Sequence, residues 1–201
     1  MTQAIAECVH IVEDEDGVRS TMAAIVRAAG FGAREYATAE DFLSALEDLA
    51  PGCIVTDVRM PGMDGLEMVE RLKARGIGLP VIVISGNADI ALAVGAMRAG
   101  ARNFLEKPLH AAALQDAVRE VIFAPPEKKV TNEAHARTFQ TLTRRQHQVL
   151  LGIMEGHQSK LIAHNLGLSV RTVEGYRAEI MMRTKARSLS ELIKMAVEAG
   201  I

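Results

Sequence analysis

Apolar and polar positions follow two different patterns along the first half of the chain, short apolar runs and a helical periodicity. Five short runs rich in apolar residues predict strands: CVHIV, AREYA, CIVTD, PVIVIS and ARNFLEK. Between and after them lie segments with apolar residues every three or four positions, which predict helices: DGVRSTMAAIVRAAG, TAEDFLSALEDLA, GLEMVERLKARG, ADIALAVGAMRAG and LHAAALQDAVREVI. This strict alternation predicts an α/β domain, a doubly wound, five-stranded parallel sheet with helices on both faces.

Capping residues mark several of these predicted helices. Thr38 precedes the second helix and has Asp41 three positions later, while Asp16 is placed to cap the first. Glycines typical of helix ends follow three of the segments, at Gly30, Gly76 and Gly100. The start and stop signals therefore agree with the periodicity.

The second half has a different organisation. The stretch APPEKKVTNEAHARTFQ has two prolines and mixed charge and predicts a linker, whose second half is compatible with a helix. From Leu142 onward four helical segments follow one another with short connections. We therefore predict an α/β domain over residues 1–123, a linker over 124–140 and a small all-α four-helix domain over 141–201.

Composition narrows the class of protein. No run of about 18 apolar residues is present, and the N-terminus lacks the pattern of a signal peptide, so we expect a cytoplasmic protein without a membrane span. Cys8 and Cys53 lie in apolar runs and are expected to be buried free thiols. Residues 1–124 hold 18 acidic and 11 basic side chains, a net charge of −7, whereas residues 125–201 hold 7 and 12, a net charge of +5. The basic half suggests a polyanionic partner, although two domains can also differ in charge without one.

Chemically useful residues follow the predicted strands. Glu13 and Asp14 follow the first strand, Asp57 ends the third, Ser85 ends the fourth and Lys107 follows the fifth. Ligands of doubly wound sheets lie at the carboxyl ends of the strands. Carboxylates suit Mg²⁺, and a carboxylate beside that ion can attack phosphorus, with Lys107 and Ser85 binding the phosphoryl oxygens. A single aspartate at a strand end is more often a cap, but five such residues together favour a site.

The segments IVEDE, VTDVRMPGMDGLE, VIVISG and NFLEKP, in this order, resemble the receiver domain of two-component response regulators over roughly the first 120 residues. The resemblance implies a flavodoxin-like fold with Asp57 as the phospho-acceptor. It further implies a metal set, a phosphate partner and a hydroxyl–aromatic switch pair. The metal set for Mg²⁺ is Glu13, Asp14, Asp57 and the backbone carbonyl of Arg59. The phosphate partner is Lys107, and the switch pair is Ser85 with Phe104.

The basic half carries a helix-turn-helix pattern in GHQSKLIAHNLGLSVRTVEGYRAEIM. Gly167 closes the first helix and Ser169 caps the second, which would enter the major groove of DNA. Exposed positions near the start of that second helix are the candidates for base and phosphate contacts: Arg171, Thr172, Glu174 and Arg177.

The segment from Leu142 through the last helix resembles the LuxR-type DNA-binding domain of NarL/FixJ-type regulators. The resemblance implies that Lys160 and Arg177 hold DNA and that the last helix forms a dimer face with Leu189, Leu192 and Met195. Gln146 and Gln148 stand where this family usually has glutamate, so we expect a weakened internal salt bridge.

These observations predict a transcriptional regulator controlled by phosphorylation. A histidine kinase would phosphorylate Asp57 with Mg²⁺ present, and the altered receiver surface would promote homodimerisation and binding to promoter DNA. The chain would not be an enzyme beyond its own phosphoryl transfer and autodephosphorylation. A phosphatase of the haloacid dehalogenase kind would need a second aspartate where Arg59 stands, and a dinucleotide enzyme would need GxGxxG after the first strand. A receiver that never turns over phosphate is disfavoured by the complete acidic set.

Overall fold

A five-stranded parallel sheet forms the centre of the first half of the chain. The computed structural model describes residues 7–86, 90–123 and 132–201. The strands are β1 (Cys8–Val12), β2 (Gly32–Tyr36), β3 (Gly52–Asp57), β4 (Val81–Ser85) and β5 (Asn103–Glu106). They lie in the order β2-β1-β3-β4-β5, and every neighbouring pair is parallel. The predicted doubly wound sheet is confirmed, and the direction of winding reverses between β1 and β3.

Five helices alternate with these strands. They are α1 (Asp16–Ala28), α2 (Ala39–Ser44), α3 (Gly65–Ala74), α4 (Ile90–Ala99) and α5 (Ala111–Phe123). β1 and β4 are buried along their whole length and β3 along all but its first residue, whereas the edge strands β2 and β5 keep partly exposed positions. One face of the sheet packs against α1 and α5 through a continuous apolar cluster that includes Val9, Ile11, Val55, Ile84, Met22, Val26, Leu114 and Val118. Burial of this kind is typical of a parallel sheet covered on both faces.

The second helix is shorter than predicted. The sequence pattern indicated one helix through Ala50, but α2 ends at Ser44 and a 3₁₀ turn follows over Leu46–Asp48. The N–H of Ala45 bonds to the carbonyl of Phe42 at 3.0 Å, three residues back, and this tighter bond closes the last turn. The prediction of a single long helix is therefore wrong.

One of the two predicted caps is confirmed. The hydroxyl of Thr38 accepts a hydrogen bond from the N–H of Asp41 at 3.0 Å and so caps α2. The prediction that Asp16 caps α1 is wrong, because Asp16 is the first residue of that helix and pairs with Arg19 instead. The residue before the helix, Glu15, makes no side-chain cap.

Helices are the only regular elements among the described residues 132–201. The helices are α6 (Asn132–Gln140), α7 (Arg144–Met154), α8 (Ser159–Leu166), α9 (Val170–Thr184) and α10 (Leu189–Glu198). Helices α7 to α10 confirm the four predicted segments, and α6 lies in the second half of the predicted linker. Apolar side chains from α7 to α10 pack together, and those at 0 or 1% exposure are Val149, Leu150, Ile153, Ile162, Val173, Ile180, Leu192, Ile193 and Ala196.

The chain divides into two compact units, one formed by Met1–Asn87 with Ala99–Pro125 and the other by Ala88–Arg98 with Pro126–Ile201. Cys8 and Cys53 are free and buried in the first unit, as predicted. Burial raises the pKa of both thiols, that of Cys53 to about 12. In the part of the chain that the structure describes, no helix combines the length and the apolar character needed to cross a membrane.

Candidate functional site

Three carboxylates meet at the carboxyl edge of the sheet. Glu13 and Asp14 follow β1, and Asp57 is the last residue of β3. A ligand oxygen from each lies within 4.8 Å of the other two. Glu13 and Asp57 are only 1% and 7% exposed, whereas Asp14 faces solvent. Hard carboxylate oxygens at this spacing, with one side open to water, fit the preferences of Mg²⁺.

Lys107 inserts its ammonium between two of these carboxylates. Its Nζ lies 2.8 Å from Glu13 Oε2 and 2.6 Å from Asp57 Oδ2. The parallel pairing of β4 with β5 places this lysine, because the N–H of Lys107 bonds to the carbonyl of Ser85 at 2.8 Å. The Lys107–Pro108 peptide bond is cis. One cation thus pairs two nearly buried anions from two other strands.

The shared burial shifts the titration of this group of side chains. Burial raises the pKa of Glu13, and the charge of Asp57 adds to this, while the hydrogen bond from Lys107 offsets part of the shift. Burial lowers the pKa of Lys107, but its hydrogen bonds to Asp57 and Glu13 outweigh that effect, so its pKa lies above the ordinary value. The ammonium of Lys107 is therefore held in its charged form.

The remaining predicted receiver residues lie around this cluster. Ser85 ends β4 and is 1% exposed, and Phe104 is half-buried in β5, opposite Val83 in the strand register. Arg59 is exposed, and its backbone N–H donates to Asp57 Oδ1 at 3.3 Å. Ser85 ends β4, the strand beside β3, and Arg59 follows Asp57 by two residues. The functional roles of Ser85, Phe104 and Arg59 stay predictions.

Residues 58–64, here called the acceptor loop, connect Asp57 to α3. The N–H of Gly65 bonds to the carbonyl of Val58 at 2.9 Å, and a Cβ on Gly65 would lie 2.0 Å from the carbonyl oxygen of Asp57. Only glycine allows this close approach. The carboxylate of Glu40, on α2, accepts a hydrogen bond from the N–H of Met63 at 3.0 Å. The sequence pattern did not single out Glu40, which reads as an ordinary acid in the first turn of an amphipathic helix.

The helix-turn-helix is formed by α8 and α9. Gly167 adopts the left-handed conformation, with φ of 64°, and ends α8, while the hydroxyl of Ser169 accepts from the N–H of Thr172 at 3.1 Å and caps α9. Both predicted caps are confirmed. The candidate contact residues Lys160, Arg171, Thr172 and Glu174 are exposed.

Arg177 differs from the other candidate DNA contacts because its side chain is only 25% exposed. Its Nη1 donates to the hydroxyl of Ser159 at 2.7 Å and lies 3.9 Å from Glu174 Oε1. The guanidinium therefore links α9 to the first residue of α8. Its role as a DNA contact stays a prediction.

Gln146 is buried, and both its amide oxygen and its amide nitrogen form a hydrogen bond. It forms a capping box with Thr143 at the start of α7 and donates from Nε2 to Glu179 Oε2, on α9, at 2.6 Å. A glutamate at this position would face the Glu179 carboxylate. The departure from the usual glutamate therefore matches Glu179, because the Gln146 amide donates to that carboxylate and an ionised glutamate could not. Gln148 accepts from Arg145 Nη1 at 3.1 Å.

The predicted dimer residues lie on α10. Leu192 is 1% exposed and packs into the core of the helical unit, whereas Leu189 and Met195 are partly exposed. Helix α6 packs against α10, and His135 Nδ1 lies 3.0 Å from Glu198 Oε2. Part of the predicted face is thus accessible and part belongs to the core.

Comparisons with known proteins cover both halves of the chain. The family described as "Response regulator receiver domain" matches residues 9–119, and the family described as "Bacterial regulatory proteins, luxR family" matches residues 140–196. The transcriptional regulatory protein FixJ of Azorhizobium caulinodans is 43% identical over 196 residues, covering 96% of this chain and 93% of that protein. The protein of the same name from Rhizobium meliloti is 40% identical, covering 96% of each. The crystal structure of full-length FixJ from B. japonicum aligns over 96% of this chain and 97% of its own, with 38% identity and a TM-score of 0.52.

Proposed function

The chain belongs to the NarL/FixJ-type response regulators, which join a receiver to a LuxR-type DNA-binding domain, and we propose that phosphorylation of Asp57 controls its binding to promoter DNA. The observation that carries this proposal is the Asp57 carboxylate at the end of β3, flanked by Glu13, Asp14 and the Lys107 ammonium. These residues come from the ends of three strands and surround the Asp57 carboxylate, which would take up phosphorus. The histidine kinase, the promoter DNA and the cytoplasmic location follow from this role.

Glu13, Asp14 and Asp57 would hold Mg²⁺, together with the backbone carbonyl of Arg59. The spacing of the three carboxylates and the exposure of Asp14 support this set. When bound, the ion neutralises charge on the transferring phosphoryl group. The Glu13 carboxylate also accepts a hydrogen bond from Lys107. This bond orients the Glu13 carboxylate before any ligand binds.

Phosphoryl transfer forms one bond and breaks another. An Asp57 oxygen bonds to phosphorus as the phosphorus–nitrogen bond of the donor phosphohistidine breaks, and the donor imidazole nitrogen takes up a proton. The Lys107 ammonium, now on Asp57 Oδ2, pairs with a phosphoryl oxygen of the product. Ser85 then hydrogen-bonds the phosphoryl group and Phe104 turns inward. The chain acts on its own aspartyl phosphate alone and is not an enzyme for an external substrate.

The switch would act through the proposed domains, a receiver over residues 1–123, a linker over 124–140 and a DNA-binding domain over 141–201. Phosphorylation biases a two-state receiver toward a form that dimerises. The paired domains then bind DNA through Lys160, Arg171, Thr172, Glu174 and Arg177, with Leu189 and Met195 at the dimer face and Leu192 in the core of the helical unit. Exposure of the first four DNA residues supports this assignment.

The test uses the full chain and a small phosphodonor. Acetyl phosphate with Mg²⁺ should add one phosphoryl group to the intact protein, detected by mass, and the label should be absent from Asp57→Asn. Asp116→Asn, which removes an exposed carboxylate on α5, should label like the wild type. Footprinting on genomic fragments and sedimentation should then show stronger DNA protection and a dimer after phosphorylation. Stable labelling of Asp57→Asn would refute the assignment.

A further inference from the structure

Glu40 lies on α2, outside the acid cluster, yet its carboxylate contacts the acceptor loop. Its Oε1 accepts the hydrogen bond from the N–H of Met63 at 3.0 Å. The same oxygen would lie 2.9 Å from a Cβ placed on Gly62, whose φ is +79°. The Glu40 carboxylate is therefore seated directly against the Gly62–Met63 backbone.

The backbone of Glu40 is itself well fixed. The Thr38 cap sets the start of α2, and Phe42, two residues after Glu40, is fully buried. The carbonyl of Glu40 also accepts a hydrogen bond from the hydroxyl of Ser44 at 2.9 Å. A short, capped and anchored helix thus presents the carboxylate to the loop from a defined position.

The acceptor loop is attached at its two ends and along its length. The bond from Gly65 to Val58 closes it, and the side chains of Met60 and Met63 are buried at 8% and 7% exposure. The bond to Glu40 adds an attachment from a separate helix. The loop also contains Arg59, whose N–H already bonds to Asp57 Oδ1 at 3.3 Å.

We propose that Glu40 is a positioning residue for the phospho-acceptor site, which holds the acceptor loop so that the backbone of Arg59 keeps its place beside Asp57. This inference rests on the proposed function, because the Arg59 carbonyl is a proposed ligand of Mg²⁺. Glu40 would act without binding the ion or the phosphoryl group itself. Its effect is transmitted through the Met63 amide and the loop backbone.

Acids in the first turn of a helix also favour the helix dipole, and Asp41 shares this position with Glu40. Asp41 is exposed, as Glu40 is, but its side chain makes none of the loop contacts described for Glu40. The variant Asp41→Ala therefore removes the same charge from the same helix turn and is the matched control. Glu40→Gln keeps an oxygen that can accept from Met63.

The experiment measures Mg²⁺ affinity by NMR titration of the full chain, together with the rate of labelling by acetyl phosphate. In Glu40→Ala the dissociation constant for Mg²⁺ should rise about fivefold, and labelling at limiting Mg²⁺ should slow by a similar factor, as expected for one lost hydrogen bond. Glu40→Gln and Asp41→Ala should stay within about twofold of the wild type. Unchanged affinity in Glu40→Ala overturns the proposal, as does equal weakening in Glu40→Ala and Glu40→Gln.

A second variant tests the same contact from the other side. A methyl group at Gly62 meets Glu40 Oε1, so Gly62→Ala should weaken Mg²⁺ binding more in the wild-type background than in Glu40→Ala. Strictly additive effects would contradict a direct contact. If the wild type itself takes up no phosphoryl group, the proposed function is refuted. If the wild type is labelled and Glu40→Ala is labelled equally fast, only the inference about Glu40 is refuted.

Discussion

The two halves of the molecule bring their candidate functional side chains together in opposite ways. In the first half, Glu13, Asp57 and Lys107 come from the ends of three strands and are largely withdrawn from water. In the second half, the candidate DNA contacts follow one another along α8 and α9 and mostly face solvent. Withdrawn charges need partners because their desolvation is expensive, whereas exposed charges do not. Stability and chemistry should therefore be coupled in the first half and separable in the second.

The same contrast appears in the polar groups that each half buries. The first half balances two buried carboxylates with one ammonium, whereas the second buries a neutral amide, Gln146, against the carboxylate of Glu179. A buried amide has no charge to desolvate, so the helical unit is held without a buried cation at this position. Substitutions that add or remove one charge test whether this distinction holds.

The largest effect is expected for Lys107→Met. Loss of the ammonium leaves two nearly buried carboxylates facing each other, and unfolding should become easier by about 3 kcal/mol, the lower end of the range for a broken buried ion pair. Thermal unfolding of the full chain measures this loss. Added Mg²⁺ should stabilise the variant more than the wild type, since the ion supplies the missing positive charge.

Lys73→Met is the matched control for that change, because Lys73 is an exposed lysine on α3. It should shift the unfolding free energy by less than about 0.5 kcal/mol. If Lys107→Met and Lys73→Met were equally mild, the carboxylates would not depend on the lysine, and the contrast between the two halves would lose its basis.

An intermediate effect is expected for Gln146→Glu. The new carboxylate would face Glu179 Oε2 in place of an amide donor, so the helical unit should lose about 1 to 2 kcal/mol at neutral pH. Denaturant unfolding followed by circular dichroism measures the loss. The second substitution Glu179→Gln should restore most of it, because one amide and one carboxylate again face each other.

Gln148→Glu provides the control in the same helix. Its side chain accepts from Arg145, so an added negative charge there has a cationic partner and should be neutral or slightly stabilising. Equal destabilisation by glutamate at 146 and at 148 would mean that helix α7 simply tolerates no further acid, and the specific pairing with Glu179 would be refuted.

The smallest effect concerns His10, a fully buried histidine in β1. Its Nε2 lies 2.9 Å from the carbonyl of Ala50, an acceptor, so this nitrogen carries the proton, and Nδ1 faces the Tyr36 hydroxyl at 3.4 Å. Burial lowers the pKa of His10, the hydrogen bond to Ala50 opposes this, and the charge of Arg34 adds to the lowering. The folded chain thus keeps His10 neutral where the unfolded chain takes up a proton.

Stability contributed by neutral His10 should be present above its ordinary pKa of 6.5 and should decline as the pH falls below that value. Urea unfolding at several pH values measures the decline, and His10→Gln should flatten the profile in this window. Identical profiles for the wild type and His10→Gln would contradict a buried neutral histidine.

Much of the acceptor site was predictable because parallel strands bring their carboxyl ends to one edge. The alternation of strands and helices is enough to place Glu13, Asp14, Asp57 and Lys107 together. The contact of Glu40 with the acceptor loop was not predictable in the same way. It depends on the path of a loop and the direction of a short helix, neither of which leaves a periodic signal.

In the helical unit, too, some features were predictable from the sequence and others were not. The caps at Gly167 and Ser169 were predictable, because a left-handed helix end and a side-chain cap each depend on a single residue. The pairing of Gln146 with Glu179 depends on how α7 packs against α9. The two residues are far apart in the sequence, so no local pattern predicts their contact. The break after Ser44 likewise follows from one 3₁₀ bond that competes with a good helical sequence.

The two thiols of the chain have a practical consequence. Both are buried in strands of the first half, and residues 125–201 contain no cysteine. Alkylating reagents react with the thiolate, and burial suppresses that form at Cys8 and Cys53 in the native chain. The rate of alkylation of the intact protein should therefore report the opening of the sheet alone, a chemical readout of one half that is blind to the other.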